Sequence, residues 1–242
     1  MNQGMYPLAA AMVNQINRVD VVSNNLANSR TIGFKEEGVS EGTFNHYLAK
    51  AKMDGKKSEY INELTNKVPK IDQKYVNSSQ GAIVNTGNDL DFALKDPNTF
   101  FAVLTQNGDV QYTKDGSFKN LDGFLVDSNG NNVLSADGEP VAIEEGFGQA
   151  VGVFKIDYDN LKKYGNNNYK LKDEQQVAAQ VEAMEDNEKF VLQGSLEGSN
   201  VNAVLAMVQL IEAQRSYEQA QKGITGINDL NSKAITKIGE SK

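Results

Sequence analysis

The adjacent carboxylates Glu36-Glu37, Glu144-Glu145 and Glu185-Asp186 are the residues best suited to acid–base chemistry. Glycoside hydrolysis performs such chemistry with two carboxyls roughly 5 to 10 Å apart across a cleft. Neighbouring acids seldom face one another, and in a chain with 32 Asp and Glu such pairs arise by chance. The single histidine, His46, stands between Asn45 and Tyr47 and reads as a solvated or interface side chain rather than a ligand. With no cysteine there is no material for a disulfide, a thiolate metal site or an iron–sulfur cluster, and one histidine leaves almost none for a zinc site or a Ser-His triad. The chain is therefore expected to hold no catalytic residue, no metal and no cofactor.

A second set of candidates is the series Asn107-Gly108, Asp115-Gly116, Asp122-Gly123, Asn129-Gly130 and Asp137-Gly138, spaced eight, seven, seven and eight residues apart. A calcium loop of the helix–loop–helix type starting at Asp127 needs glycine at 132 and glutamate at 138, where the chain has Asn132 and Gly138. The nonapeptide calcium repeat fails for want of double glycines. Gly146-Phe147-Gly148 with Gly152 misses the dinucleotide spacing and leads into Val151-Gly152-Val153-Phe154, not into a helix. What remains is a run of tight turns. Asn and Asp followed by Gly tolerate the positive φ of hairpin turns, and short apolar stretches such as Phe101-Ala102-Val103-Leu104 separate them, so about Gly81 to Ile156 reads as an antiparallel β meander or small barrel.

Helical periodicity marks both ends. Met5, Leu8, Met12, Ile16, Val19, Val22 and Leu26 recur at steps of three and four, with Pro7 acceptable in a first turn and the Asn-rich run near Asn28 closing the helix. Val201, Val204, Val208, Ile211, Ile224, Ile227, Ala234 and Ile238 repeat the pattern, with Ser199 or Asn200 as the expected N-cap. That second helix would reach about 57 Å, with Gly223 and Gly226 weakening its middle. Residues 36–80 are polar and lysine-rich and read as an extended connector; Asp173 to Asn187 reads as a short helix. The expected fold is thus α+β: an N-terminal helix and turn over 1–35, a connector over 36–80, a β-rich domain over 81–195 and a C-terminal helix over 196–242. The two helices are expected to pair in a coiled-coil-like layer.

Charge narrows the partners. Twenty-four basic residues against 32 acidic ones give a net charge of -8, with the acid concentrated between the helices. Three arginines (Arg18, Arg30, Arg215) and no basic cluster argue against a nucleic-acid binder, which needs a cationic face for phosphates. A mean hydropathy of -0.49 and no apolar run near 18 residues argue against a membrane span. The opening Met1-Asn2-Gln3-Gly4-Met5 lacks the charged and apolar regions of a secretory signal.

Two readings of the helices follow from pattern alone. They pair with each other as an antiparallel hairpin, or their apolar seams are satisfied by neighbouring copies of the chain. A head-to-tail contact of the second kind does not close and builds a filament or tube.

Three stretches resemble a known family, the axial proteins of the bacterial flagellum, which form its rod and hook. The first is Asn24-Asn25-Leu26-Ala27-Asn28 with Thr31-Ile32-Gly33-Phe34-Lys35. The second is Gln80-Gly81, Thr86-Gly87-Asn88, Leu90-Asp91 and Ala93-Leu94, followed by Phe101-Ala102-Val103 and Tyr112-Thr113 running to Asp115-Gly116-Ser117-Phe118. The third is Leu196-Glu197-Gly198-Ser199-Asn200-Val201 continuing to Ala213-Gln214-Arg215-Ser216-Tyr217-Glu218. The chain departs from the family pattern at Lys95-Asp96-Pro97-Asn98-Thr99, usually glycine-containing, and at Lys114, commonly Arg.

The resemblance implies a structural, non-enzymatic subunit of the basal-body rod in the periplasm. Such a subunit leaves the cell unprocessed through the flagellar type III export apparatus and assembles with copies of itself and other rod proteins. It implies terminal helices lining an inner tube, with Met5, Leu8, Met12, Ile16, Val19, Asn24, Asn25, Leu26, Asn28, Val201, Val204, Val208, Ile211, Arg215, Tyr217, Ile224 and Ile227 at the assembly interface. It implies neither a nucleic-acid partner nor a small-molecule substrate. Length and the Leu-Glu-Gly-Ser-Asn wording resemble proximal, F-type members more than distal, G-type ones. An enzyme that opens peptidoglycan for the rod, or an adhesin on the same export route, is the reading from another class.

Overall fold

The computed structural model describes residues 5–43, 69–165, 167–172, 182–183 and 187–240. His46 and the Glu185-Asp186 pair lie outside them. The chain divides into two units, one of residues 1–27, 37–75 and 202–242, the other of 28–36 and 76–201.

In the first unit, helix α1 (Met5–Ala27) packs along a 38-residue helix running from Ala203 to Glu240. Leu8 meets Gly223, while Ile16 and Val19 line a groove with Gln214, Tyr217, Glu218 and Gln221, so the two helices run antiparallel. Val21 and Val22 are buried, together with Asn14 and Asn25. The Asn25 side chain holds both main-chain groups of Glu37, accepting from its N–H at 2.9 Å and donating to its carbonyl at 2.7 Å. That bond starts β1 (Glu37–Thr43), which pairs with β2 (Pro69–Val76) as a two-stranded sheet. The ends of the connector are thus paired strands and not merely extended chain. Gly38 supplies one reason: a Cβ there would overlap the Tyr75 ring.

The second unit is antiparallel β. Its strands are β3 (Ile83–Asn85), β4 (Phe92–Leu94), β5 (Thr99–Leu104), β6 (Val110–Thr113), β7 (Lys119–Leu121), β8 (Phe124–Val126), β9 (Asn132–Val133), β10 (Val153–Lys155), β11 (Leu161–Lys163), β12 (Asn168–Leu171) and β13 (Glu182–Ala183). After the single-turn helix α2 (Asn187–Phe190) come β14 (Val191–Gln193) and β15 (Ser195–Glu197), and the long helix of the first unit is α3 (Ala203–Glu240). The main sheet runs β11-β12-β6-β5-β9-β8-β7, with β10 joining β5 to β13; β14 pairs β4 and β15 pairs β3.

Strand β5 is central because both of its faces are covered. Successive residues of a strand point to opposite faces. Phe101 and Val103 enter a cluster with Phe92, Leu94, Phe118 and Leu125, while Phe100 and Ala102 enter another with Tyr112, Leu161 and Tyr169. A strand buried on both sides reads as an unbroken apolar run, as Phe100 to Leu104 does.

Four of the five Asn/Asp-Gly pairs behave as their chemistry predicts, with Gly108, Gly123, Gly130 and Gly138 at positive φ. Asp115-Gly116 is the exception. Gly116 keeps a negative-side backbone but lies against the Phe92 carbonyl, where any Cβ would overlap it, so this glycine serves close approach rather than turn geometry. In the stretch expected to hold a helix from Asp173, the described part is β13 followed by α2 at Asn187–Phe190.

The start of α3 is also shifted from expectation. Its cap is Asn202, whose Oδ1 accepts from the N–H groups of Val204 and Leu205, both at 3.1 Å. Ser199 instead accepts from the Val201 N–H at 3.2 Å, and the Asn200 side chain is engaged elsewhere. Gly223 and Gly226 do not interrupt the helix. A Cβ at Gly223 would sit 3.2 Å from Leu8 Cδ1, so this glycine lets α1 approach.

Candidate assembly face and the junction of the terminal motifs

The face of α3 turned to α1 is made of small residues. Ala206, Ala213 and Ala220 are buried at seven-residue spacing, with Leu210, Tyr217, Ile224 and Ile227 half-buried between and beyond them. Alternating steps of four and three keep these positions on one side of the helix. The larger apolar residues that the spacing singles out lie elsewhere: Val204, Val208 and Ile211 are 71%, 46% and 49% exposed, and Leu205 and Met207 are exposed beside them. The apolar surface of α3 is therefore double, one face covered by α1 and one open over its first turns. Large side chains signalled the open face and, through Ile224 and Ile227, part of the covered one; the buried alanines gave only their seven-residue spacing as a signal.

The other expected interface residues divide as follows. In the first unit, Met5, Leu8, Met12, Val19 and Leu26 are half-buried, Ile16, Asn24 and Arg215 are exposed, and Asn25 is buried on β1. In the second, Asn28 is half-buried in the turn that takes Thr31, and Val201 is buried.

The three sequence motifs converge inside the second unit. Lys35 donates to Glu197 Oε1 at 2.7 Å with both side chains at most 1% exposed, and donates again to the Ser79 carbonyl at 2.7 Å. Glu197 Oε1 also accepts from the Gly81 N–H at 2.9 Å, and its main-chain carbonyl accepts from the Gly33 N–H at 2.7 Å. Gly81 abuts the Gly198 carbonyl so closely that only glycine fits. Asn200 completes the knot: Oδ1 accepts from the Glu36 N–H at 2.7 Å and Nδ2 donates to the carbonyls of Asn77 and Ser79, both at 2.9 Å. Lys114 borders it, 1% exposed, its Nζ donating to the Asp96 carbonyl at 3.0 Å and standing 5.3 Å from the centre of the Phe100 ring. Tyr158 lies close by, and burial above all, then Tyr169 and Glu197, hold its hydroxyl well above the usual tyrosine range.

The carboxylate pairs make no such cluster. Glu36 accepts from Asn77 Nδ2 at 3.2 Å. Glu144 and Glu145 line a surface depression of about 410 Å³ with Asp89, Phe147 and Gln193. Among the described residues no group of three or more His, Cys, Asp or Glu is placed to hold a metal ion, and no helix is long and apolar enough to cross a membrane.

The geometry describes a chain whose two ends pair as helices in one unit, while the motifs that flank those helices are knotted together inside the other. Family models agree with it segment by segment: flagella basal body rod protein over residues 5–35, flagellar hook protein FlgE/F/G D1 domain over 96–160, and flagellar basal body rod FlgEFG protein C-terminal over 192–237. The chain belongs to the flagellar basal-body rod protein family. Within it the likeness is to F-type members. The flagellar basal-body rod protein FlgF of Rhizobium meliloti is 29% identical over 262 residues, spanning all of both chains, and that of Caulobacter vibrioides is 28% identical over 99% of each. The rod protein FlgG of Agrobacterium fabrum is 28% identical over 93% of this chain and 95% of its own.

Proposed function

We propose that this chain is a non-enzymatic subunit of the flagellar rod, exported without processing through the type III apparatus and assembled head-to-tail with copies of itself and other rod proteins. It sits in the periplasmic part of the basal body and transmits torque. In this reading residues 1–35 and 196–242 form the inner tube, 36–80 connect, and 81–195 face outward. The carrying observation is the open apolar face of α3, from Val204 to Ile211. In those same turns Ala206 and Ala213 are buried, so the exposed residues form a second face that α1 does not cover. A contiguous apolar face of this kind is a contact surface.

The test is Val208→Glu with Ile211→Glu. The doubly substituted chain is expected to be exported and to unfold at the same temperature as the parent, yet to be absent from isolated basal bodies. Incorporation at the parental level would refute the reading. A proximal position is favoured by the full-length likeness to FlgF proteins; the FlgG relatives support a distal position as the second reading. Gold labelling along isolated rods separates the two.

A further inference from the structure

The junction buries two lysines, Lys35 and Lys114, with the single buried carboxylate of Glu197, and the half-buried Asp96 stands at its edge. Lys35, Lys114 and Glu197 are each at most 1% exposed, and Gly33 stands between them. Gly33 donates to the Glu197 carbonyl, while a Cβ on Gly33 would lie 2.5 Å from the Lys114 carbonyl carbon and oxygen. Glu197 Oε1 already takes Lys35 and the Gly81 N–H, and Oε2 is buried without a hydrogen-bond partner. The charged groups acting on Lys114 are Glu197, Lys35 and Asp96, and the last gives it a carbonyl bond.

We propose that this junction is a proton-operated latch: with Lys114 neutral the Lys35–Glu197 pair is balanced and the motifs stay knotted, and with Lys114 charged a second buried cation loosens them. Burial, first of all, pulls the Lys114 amine down to about 7, with Glu197 opposing and Lys35 adding to the shift. The unfolded chain keeps an ordinary lysine, so between about pH 7 and 10.5 it binds more protons than the folded one. Folding is therefore penalised in full below about pH 7, and the penalty lifts as pH rises toward 10.5. The latch is tighter on the alkaline side. Neither the geometry nor this sign depends on how the subunit assembles.

The experiment uses the full chain as a monomer. The ¹³Cε resonance of Lys114 is followed from pH 5.5 to 10, together with hydrogen exchange of the Gly33 and Gly81 amides, corrected for the intrinsic pH dependence of exchange. The latch predicts a Lys114 midpoint near 7 and protection of both amides rising roughly tenfold or more between pH 6.5 and 9. Lys114→Met should remove that rise, and Lys114→Arg, charged throughout, should remove it at the less protected end. A Lys114 midpoint above 9, or equal protection at both pH values in the parent chain, overturns the proposal without recourse to either variant.

Discussion

Lys35 and Glu197, 162 positions apart in the chain, meet at 2.7 Å in a space that excludes water from both side chains. One residue ends the motif that follows α1, and the other belongs to the motif that precedes α3. Their contact therefore ties together the two chain segments from which the terminal helices extend. A buried pair of this kind is no large source of net stability, because desolvation offsets most of the attraction, but it is costly to break on one side only.

That asymmetry makes the first prediction. Lys35→Met leaves Glu197 charged and buried, and should destabilise the β unit by about 3–5 kcal/mol in urea unfolding. Combining Lys35→Met with Glu197→Leu should cost clearly less than the two single changes added together. Simple additivity would show that the two side chains do not act as a pair.

Two glycines of the same dipeptide type should respond differently. Gly108 sits at a φ of 85° over open space, so Gly108→Ala pays only backbone strain of about 1 kcal/mol. Gly116→Ala puts a methyl group on the Phe92 carbonyl and should cost about 3 kcal/mol. Thermal unfolding of the two variants checks the order; equal costs would mean the backbone around Gly116 yields freely.

Much of this architecture was legible in the residues. Period-three-and-four spacing marked both helices, and repeated Asn-Gly and Asp-Gly pairs marked the meander, because turn chemistry is local and sequence carries local information well. The paired strands β1 and β2 were not legible, since these polar stretches show no sustained alternation and their pairing depends on contacts such as Asn25 with Glu37. On the covered face of α3, Tyr217, Ile224 and Ile227 were legible, whereas Ala206, Ala213 and Ala220 were not, because alanine carries little apolar weight. The junction was visible only as motifs: nothing local says that Lys35 will find Glu197, and Lys114 stood out only as a departure from the family pattern and Asn200 only as a helix cap, not for the bonds they make.

Capping at α3 gives a further check. Asn202→Ala removes the bonds to Val204 and Leu205 and should cost about 1 kcal/mol. Asn200→Ala, although nearer the expected cap, removes bonds to Glu36, Asn77 and Ser79 and should cost more, about 2–3 kcal/mol. A cost for Asn200→Ala below that for Asn202→Ala would show that the bonds to Glu36, Asn77 and Ser79 contribute little.

The two faces of α3 should also separate in stability. Ala213→Leu crowds the contact with α1 and should destabilise by about 1–3 kcal/mol, whereas Val208→Leu on the open face should change little. Helical melting followed by circular dichroism reads both.

The central claim is that the open face of α3 is covered by neighbouring subunits in the assembled rod. The chain has no cysteine, so Val208→Cys would carry its sole thiol. This thiol is expected to react readily with a maleimide in the monomer and to be protected in isolated basal bodies, while Leu121→Cys on β7 of the other unit reacts readily in the monomer as a labelling control. Equal reactivity of Val208→Cys in monomer and basal body would contradict it.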